Sequence, residues 1–133
     1  MRLLGNWWMR LRSVKPSEHE EQVWFFQACA VRERFDWRYA LPFAVPNGAR
    51  TSMSTARKLK SEGLKAGVPD VIIPVPVGDY NGAAIEFKRK GNRPSDKQMW
   101  WLKALELQGY KTTIQYTGAD AFQWLENYLA GKI

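Results

Sequence analysis

Three charged residues stand where a core strand would not ordinarily carry them. Asp70 opens the run "DVIIPVPV" directly after Gly67, Val68 and Pro69, and Glu86 and Lys88 stand two apart in "AAIEFKR". Side chains alternate along a strand, so Ile85 and Phe87 share one face while Glu86 and Lys88 share the other with Ala84. Asp is depleted in strands, and turn chemistry excuses it only in part at position 70. If the intervening "GDYNG" closes a hairpin, Asp70 near the start of the first arm lies beside Glu86 and Lys88 near the end of the second. Two carboxylates and an ammonium then converge. Such hard oxygen ligands suit Mg2+, which takes one or two carboxylates and completes its shell with water and phosphate oxygen. The competing reading is an amphipathic strand whose charged side meets water, with Glu86 and Lys88 as a weak surface pair.

Positioning these groups requires a set of elements that the sequence marks well. Pro16 and Ser17 precede "EHEEQVWFFQACAVRERF", and Ser17 with Glu20 three residues later has the form of a capping box that starts a helix. Val23, Trp24, Phe25, Phe26, Ala28, Cys29 and Ala30 make it apolar around most of its girth, which predicts a helix buried against a sheet. "RYALPFAVPNGAR" reads as extended, interrupted by Pro42 and ended by Pro46, Asn47 and Gly48. A short basic helix is expected around residues 54–62, before Gly63. Residues 68–77 form a β-branched strand, joined by the turn to a second arm in "AAIEFKR". Ser95 with Gln98 gives another capping signature, opening the helix "DKQMWWLKALELQ" that Gly109 closes. "YKTTIQYT" is a strand and "ADAFQWLENYL" a final helix. A hairpin followed by a strand-helix-strand crossover predicts an α/β fold, a mixed sheet covered by helices.

The 133 residues are one domain's worth. A net charge of +7 and a pI near 9.7 favour polyanionic partners. Cys29 is the only cysteine and His19 the only histidine, which argues against a disulfide framework, a cysteine zinc site or a histidine-relayed nucleophile. His19 is expected in solvent at its helix start. The N-terminal "MRLLGNWWMRLRSVK" has an apolar patch broken by Gly5 and Asn6 and followed by Arg10 and Arg12, so it does not read as a signal peptide. No apolar run approaches the ~20 residues that span a bilayer. The expected organisation is a basic arm over residues 1–16 and a domain over 17–133, soluble and cytoplasmic, with no membrane partner.

Pro69-Asp70, followed past the turn by Glu86-Phe87-Lys88, resembles the signature of the PD-(D/E)XK nuclease superfamily. More particularly, "PNGAR", "GVPDVI", "IEFKR", Ser95 through "KQMWWL", and Gly109, in that order, are similar to the pattern of the VRR-NUC family over about residues 17–130. The resemblance implies a restriction-endonuclease-like core of order α-β-β-β-α-β and a metal-dependent endodeoxyribonuclease. Asp70, Glu86 and the Phe87 carbonyl would hold Mg2+, for which Mn2+ could substitute, and Lys88 would orient or help deprotonate the attacking water. Family members carry a further glutamate on the first helix. Glu20 is taken by the capping box, while Glu18 and Glu21, one turn apart, both remain, with Glu18 favoured because its spacing to Gln22 looks like the family's Glu and Gln pair. Gln98 either caps its helix or, as the matching family glutamine does, points into the active site.

Cations flank these residues on both sides: Arg50, Arg57, Lys58, Lys60 and Lys65 before, Arg89, Lys90, Arg93 and Lys97 after. They would neutralise phosphates and position a DNA backbone without reading bases. No segment resembles a base-reading helix or finger, so selection of DNA by structure is expected. Stand-alone members of the family look like resolvases of four-way junctions, in phage or bacterial cytoplasm; the resemblance implies a branched DNA partner and, for two matched cuts, a C2 homodimer. The arm, with Leu3, Leu4, Trp7, Trp8 and Met9, could serve the dimer, a branch point or its own domain. The rival readings are a catalytically inert basic DNA-binding module and a restriction-type endonuclease acting on linear duplex.

Overall fold

The first helix, α1, spans Glu18–Arg32 and begins with the predicted capping box: Ser17 Oγ accepts the Glu20 N–H at 3.2 Å and Glu20 Oε2 accepts the Ser17 N–H at 2.9 Å. The computed structural model describes residues 15–46 and 52–133, so residues 1–14 of the predicted arm and Arg50 lie outside the described residues. After α1 come a 3-10 turn over Trp37–Ala40, strand β1 (Phe43–Ala44), helix α2 (Met53–Ser61), strands β2 (Val71–Ile73) and β3 (Gly82–Phe87), helix α3 (Asp96–Leu107), strand β4 (Tyr110–Gln115) and helix α4 (Gly118–Leu129). The sheet order is β1-β2-β3-β4, with β1/β2 and β2/β3 antiparallel and β3/β4 parallel. This is the expected α/β architecture, a mixed sheet flanked by helices and containing the α-β-β-β-α-β order. Among the described residues no helix is long and apolar enough to cross a membrane.

Alternation along β3 divides the molecule into two layers around the sheet. Ala83, Ile85 and Phe87 join Val71 and Ile73 in a core with Phe25 and Cys29 of α1 and Ala121, Leu125, Tyr128 and Leu129 of α4. The Phe25 and Phe87 rings meet edge-on with centroids 6.0 Å apart. The opposite side of β3 carries Glu86, which is reached from α3. Every residue of β3 is buried, so both faces of this strand are covered.

Three sequence expectations need correction. The wide apolar girth of α1 is not buried all round: Phe25 and Cys29, four apart, form its fully buried stripe, while Val23, Trp24 and Val31 are exposed. The strand expected over 68–77 is hydrogen-bonded only over Val71–Ile73, because Pro74 and Pro76 offer no N–H to a neighbour; pairing resumes as a single bridge between Val77 and Tyr80. The extended segment after α1 is preceded by the turn at Trp37–Ala40, which Asp36 caps by accepting the Arg38 N–H, leaving only Phe43–Ala44 as strand.

Gly118 shows how closely α4 docks on α1. A β-carbon there would lie 2.4 Å from the Glu21 carbonyl oxygen and 3.1 Å from the Phe25 nitrogen, both backbone atoms that cannot swing aside. Gly118→Ala should therefore push the helices apart and cost about 1–3 kcal/mol, seen as a fall in Tm of roughly 4–12 °C by circular dichroism. An unchanged melting curve would show that the helix pair can part freely.

Candidate active site

The hairpin register brings the two predicted carboxylates opposite each other. Val71 pairs with Ile85 and Ile73 with Ala83, and one further step places Asp70 across from Glu86. Asp70 is fixed on both sides: its carbonyl accepts the Val45 N–H at 2.8 Å, and its Oδ2 accepts the Phe87 N–H at 2.8 Å. Glu86 is only 1% exposed. Its Oε1 accepts from Gln98 Nε2 at 2.8 Å and lies 3.7 Å from Lys88 Nζ, whereas its Oε2 is buried with no hydrogen-bond donor. The reading of Glu86 and Lys88 as a solvated surface pair therefore fails.

Burial and crowding of like charge govern this cluster. Burial raises the Asp70 pKa above the usual carboxylate value, and the Glu18 charge adds to the rise, against the Phe87 N–H and Lys88, which favour the ionised form. Burial likewise pushes Glu86 from its ordinary 4.5 up to about 8, helped by the negative charge of Asp70 and opposed by Lys88. One ammonium at 3.7 Å does not offset two buried acids. A divalent cation would, and the donorless Oε2 of Glu86 is the oxygen left for it. Among the described residues no group of three or more His, Cys, Asp or Glu side chains forms a metal cage. The available side-chain set is two carboxylates, a partial shell of the sort Mg2+ could complete with water and substrate oxygen.

Gln98 occupies both of the roles open to it in the sequence. Its Oε1 accepts the Ser95 N–H at 2.8 Å, completing a capping box with Ser95 Oγ, while its Nε2 donates to Glu86. The two ends of one amide thus connect the start of α3 to the buried acid. Glu18 and Glu21 part company. Glu18 Oε1 accepts the Arg89 N–H at 2.9 Å, just past β3, and its charge reaches both acids of the pair. Glu21 Oε2 accepts the Gly118 N–H at 2.9 Å and so satisfies the start of α4.

Two contacts that sequence reasoning passed over hold the loop carrying Asp70. Gly67 has φ +87°, and a β-carbon there would lie 2.8 Å from the Lys97 carbonyl carbon, so the loop backbone rests directly on α3. Trp101 Nε1–H donates to the Ala66 carbonyl at 3.1 Å. The signals were available in "AGVPD" and "WWL", but neither residue type announces a positioning role by itself.

Several of the flanking cations line two clefts, one that includes Gln98 and one that includes Lys88. Lys60, Lys65 and Lys97 line one, together with Gln98, Trp100 and Trp101. Lys88, Arg89 and Lys90 line the other, with Glu18 and Glu21. Arg57 and Lys58 on α2, and Arg93 between β3 and α3, are exposed and line neither. His19 is exposed as expected and lies along a shallow groove on α1.

Comparison with known proteins agrees with this arrangement. The family model described as the VRR-NUC domain matches residues 24–117. A solved structure described as a VRR_NUC domain protein superposes with a TM-score of 0.73 at 24% identity, covering 88% of this chain and 91% of that one; the likeness is one of fold. No curated protein matches the chain.

The raised pKa of Glu86 makes metal-free stability depend on pH. A carboxyl that titrates higher in the folded than in the unfolded state favours folding when protonated; that contribution is whole below about 4.5 and lost as pH rises through about 8. Without divalent ions, Glu86→Gln should match wild type near pH 5 and exceed it near pH 8.5 by roughly 1–3 kcal/mol, or about 4–12 °C in Tm. Mg2+ should raise the wild-type Tm more at pH 8 than at pH 5.5 and leave Glu86→Gln nearly unmoved. Parallel melting curves across this pH range would contradict the buried, crowded pair.

Proposed function

As the chain belongs to the VRR-NUC family, a nuclease-type family, we propose that it is a metal-dependent, structure-selective DNA endonuclease that hydrolyses phosphodiester bonds in branched DNA in the manner of a junction resolvase. The observation that carries the reading is the cross-strand pair of acids, half-buried Asp70 and buried Glu86, with a Glu86 oxygen lacking a donor and Lys88 beside it. Asp70, Glu86 and the Phe87 carbonyl would hold Mg2+, or Mn2+ in its place, and the bound ion supplies Lewis-acid polarisation of the phosphate and a more acidic water. Lys88 orients the attacking water and offsets the negative charge that gathers on the phosphate oxygens as the bond breaks. Gln98 keeps the Glu86 carboxylate in one rotamer, and the Phe87 N–H does the same for Asp70. Glu18 acts from the edge, through its charge and its hold on Arg89.

Lys60, Lys65 and Lys97 in one cleft and Arg89 and Lys90 in the other supply the cationic track for the backbone on either side of the scissile phosphate, with Arg57, Lys58 and Arg93 on the outer surface. Each chain carries one such site, and resolving a four-way junction takes two matched cuts, so the working form in this proposal is a C2 homodimer.

The decisive experiment incubates labelled four-way junction, flapped and plain duplex DNA with the protein, with and without Mg2+ or Mn2+. Metal-dependent cutting that favours branched substrates and disappears in Asp70→Ala and Glu86→Ala is expected; equal cutting of fixed sequences in plain duplex would replace this reading with a restriction-type enzyme. Lys88→Ala should lower kcat by roughly 10²- to 10⁴-fold while metal-free DNA binding is retained. Affinity should fall steeply with salt, each neutralised phosphate adding about −0.9 to the slope of log K against log salt. A flat response would contradict the cationic track.

A further inference from the structure

Trp100 is out of place on purely structural grounds. It sits on the first half of α3, is 64% exposed, and belongs to the wall of the cleft that also holds Lys60, Lys65, Lys97 and Gln98. The neighbouring Trp101 is anchored by its hydrogen bond to Ala66 and meets Trp100 edge-on, with ring centroids 5.4 Å apart and planes at 88°. Trp101 therefore braces the edge of the Trp100 indole while most of that ring stays accessible.

Among the described residues the lining of this cleft contains three lysines and no acidic side chain, which suits an anionic occupant. An indole face is itself electron-rich and does not attract phosphate, but it stacks well on a nucleobase. Lysines for the backbone and an aromatic face for a base together fit a single-stranded segment of nucleic acid. In an intact duplex every interior base is already covered on both faces by its neighbours. Only a base at a branch, flap, gap or end has a face to offer.

We infer that Trp100 is a stacking platform for one unpaired base of the DNA substrate, next to the site of cleavage. The placement follows from Gln98, which lines the same cleft and whose amide is bonded to Glu86. The inference rests on the nuclease reading for the identity of its ligand. It deepens that reading by supplying a physical reason for selecting branched DNA: the free base docks on the indole, and the adjoining backbone reaches Asp70 and Glu86.

Binding measured without divalent ions tests the platform apart from catalysis. Fluorescence anisotropy would compare three labelled probes: a short single strand, the same strand made abasic throughout, and a duplex closed at both ends by base-free polyether linkers. Trp100→Ala should weaken binding of the normal strand by roughly 5- to 150-fold and leave the abasic strand and closed duplex unchanged, while Trp100→Phe keeps most of the affinity. Circular dichroism of each variant checks the fold. Equal losses on all three probes, or no loss on any, would overturn the platform. Wild-type protein that shows this base dependence yet cuts no DNA in Mg2+ or Mn2+ sinks the nuclease reading alone; protein that cuts branched DNA without base dependence sinks the platform alone. Failure to bind any of the probes sinks the platform, and the cleavage assay on branched DNA then decides the nuclease reading.

Discussion

Two carboxylates, those of a half-buried Asp70 and a fully buried Glu86, face each other across the ends of β2 and β3. Burying one charge is expensive, and burying two of the same sign beside each other is more so. An apolar pair at these positions would suit the sheet better, since β3 is otherwise built of Gly82, Ala83, Ala84, Ile85 and Phe87. The raised pKa values of both groups are the measure of that misfit. Acids whose pKa values are raised by burial and by each other, beside a cation, are a common mark of functional sites.

The surrounding structure restrains this pair without neutralising it. The Phe87 N–H, the Gln98 amide and Lys88 each address one oxygen or one charge, and one oxygen of Glu86 is left without a donor. Each restraint comes from a rigid element: β3 for Phe87, a capped helix start for Gln98, a strand end tied to α1 through Glu18 for Lys88. Gly67 and Trp101 do the same for the loop entering β2, pressing it on α3 so that Asp70 arrives in register. Side chains set this firmly by their supports lose little entropy when a ligand arrives, which is the condition for a preorganised site.

The legible part of this design was whatever short-range rules govern. Both capping boxes, the closing Gly109 and the alternation of β3 can be read from a handful of neighbouring residues, and they set where the helices start and which way Glu86 points. The opposition of Asp70 and Glu86 was inferable because a hairpin makes long-range contact a local matter. Hydrophobicity alone misled for α1, where it counts apolar residues but not the area available to cover them: one sheet face and α4 take Phe25 and Cys29, and Trp24 stays outside. Glu18 and Glu21 could not be separated from sequence because their difference lies in partners distant along the chain, Arg89 for one and Gly118 for the other. Gln98 was posed as a choice between two roles, whereas a primary amide has two ends and performs both.

A protein of net charge +7 that sets a buried Glu86 and a half-buried Asp70 among lysine- and arginine-lined clefts carries opposing local fields. In the proposed function the lysines and arginines would draw a phosphate backbone along the surface, while the negative charge that Asp70 and Glu86 share would repel the one phosphate over them. In the low dielectric around Glu86 that repulsion acts at short range and with little screening, so it falls on the reacting phosphate far more than on its neighbours. A divalent cation bound there, as proposed, would reverse the sign at that single point and leave the outer track as it was. Under the proposed function, affinity for DNA and competence to cut it would be carried by different residues, and the metal would control the second far more than the first.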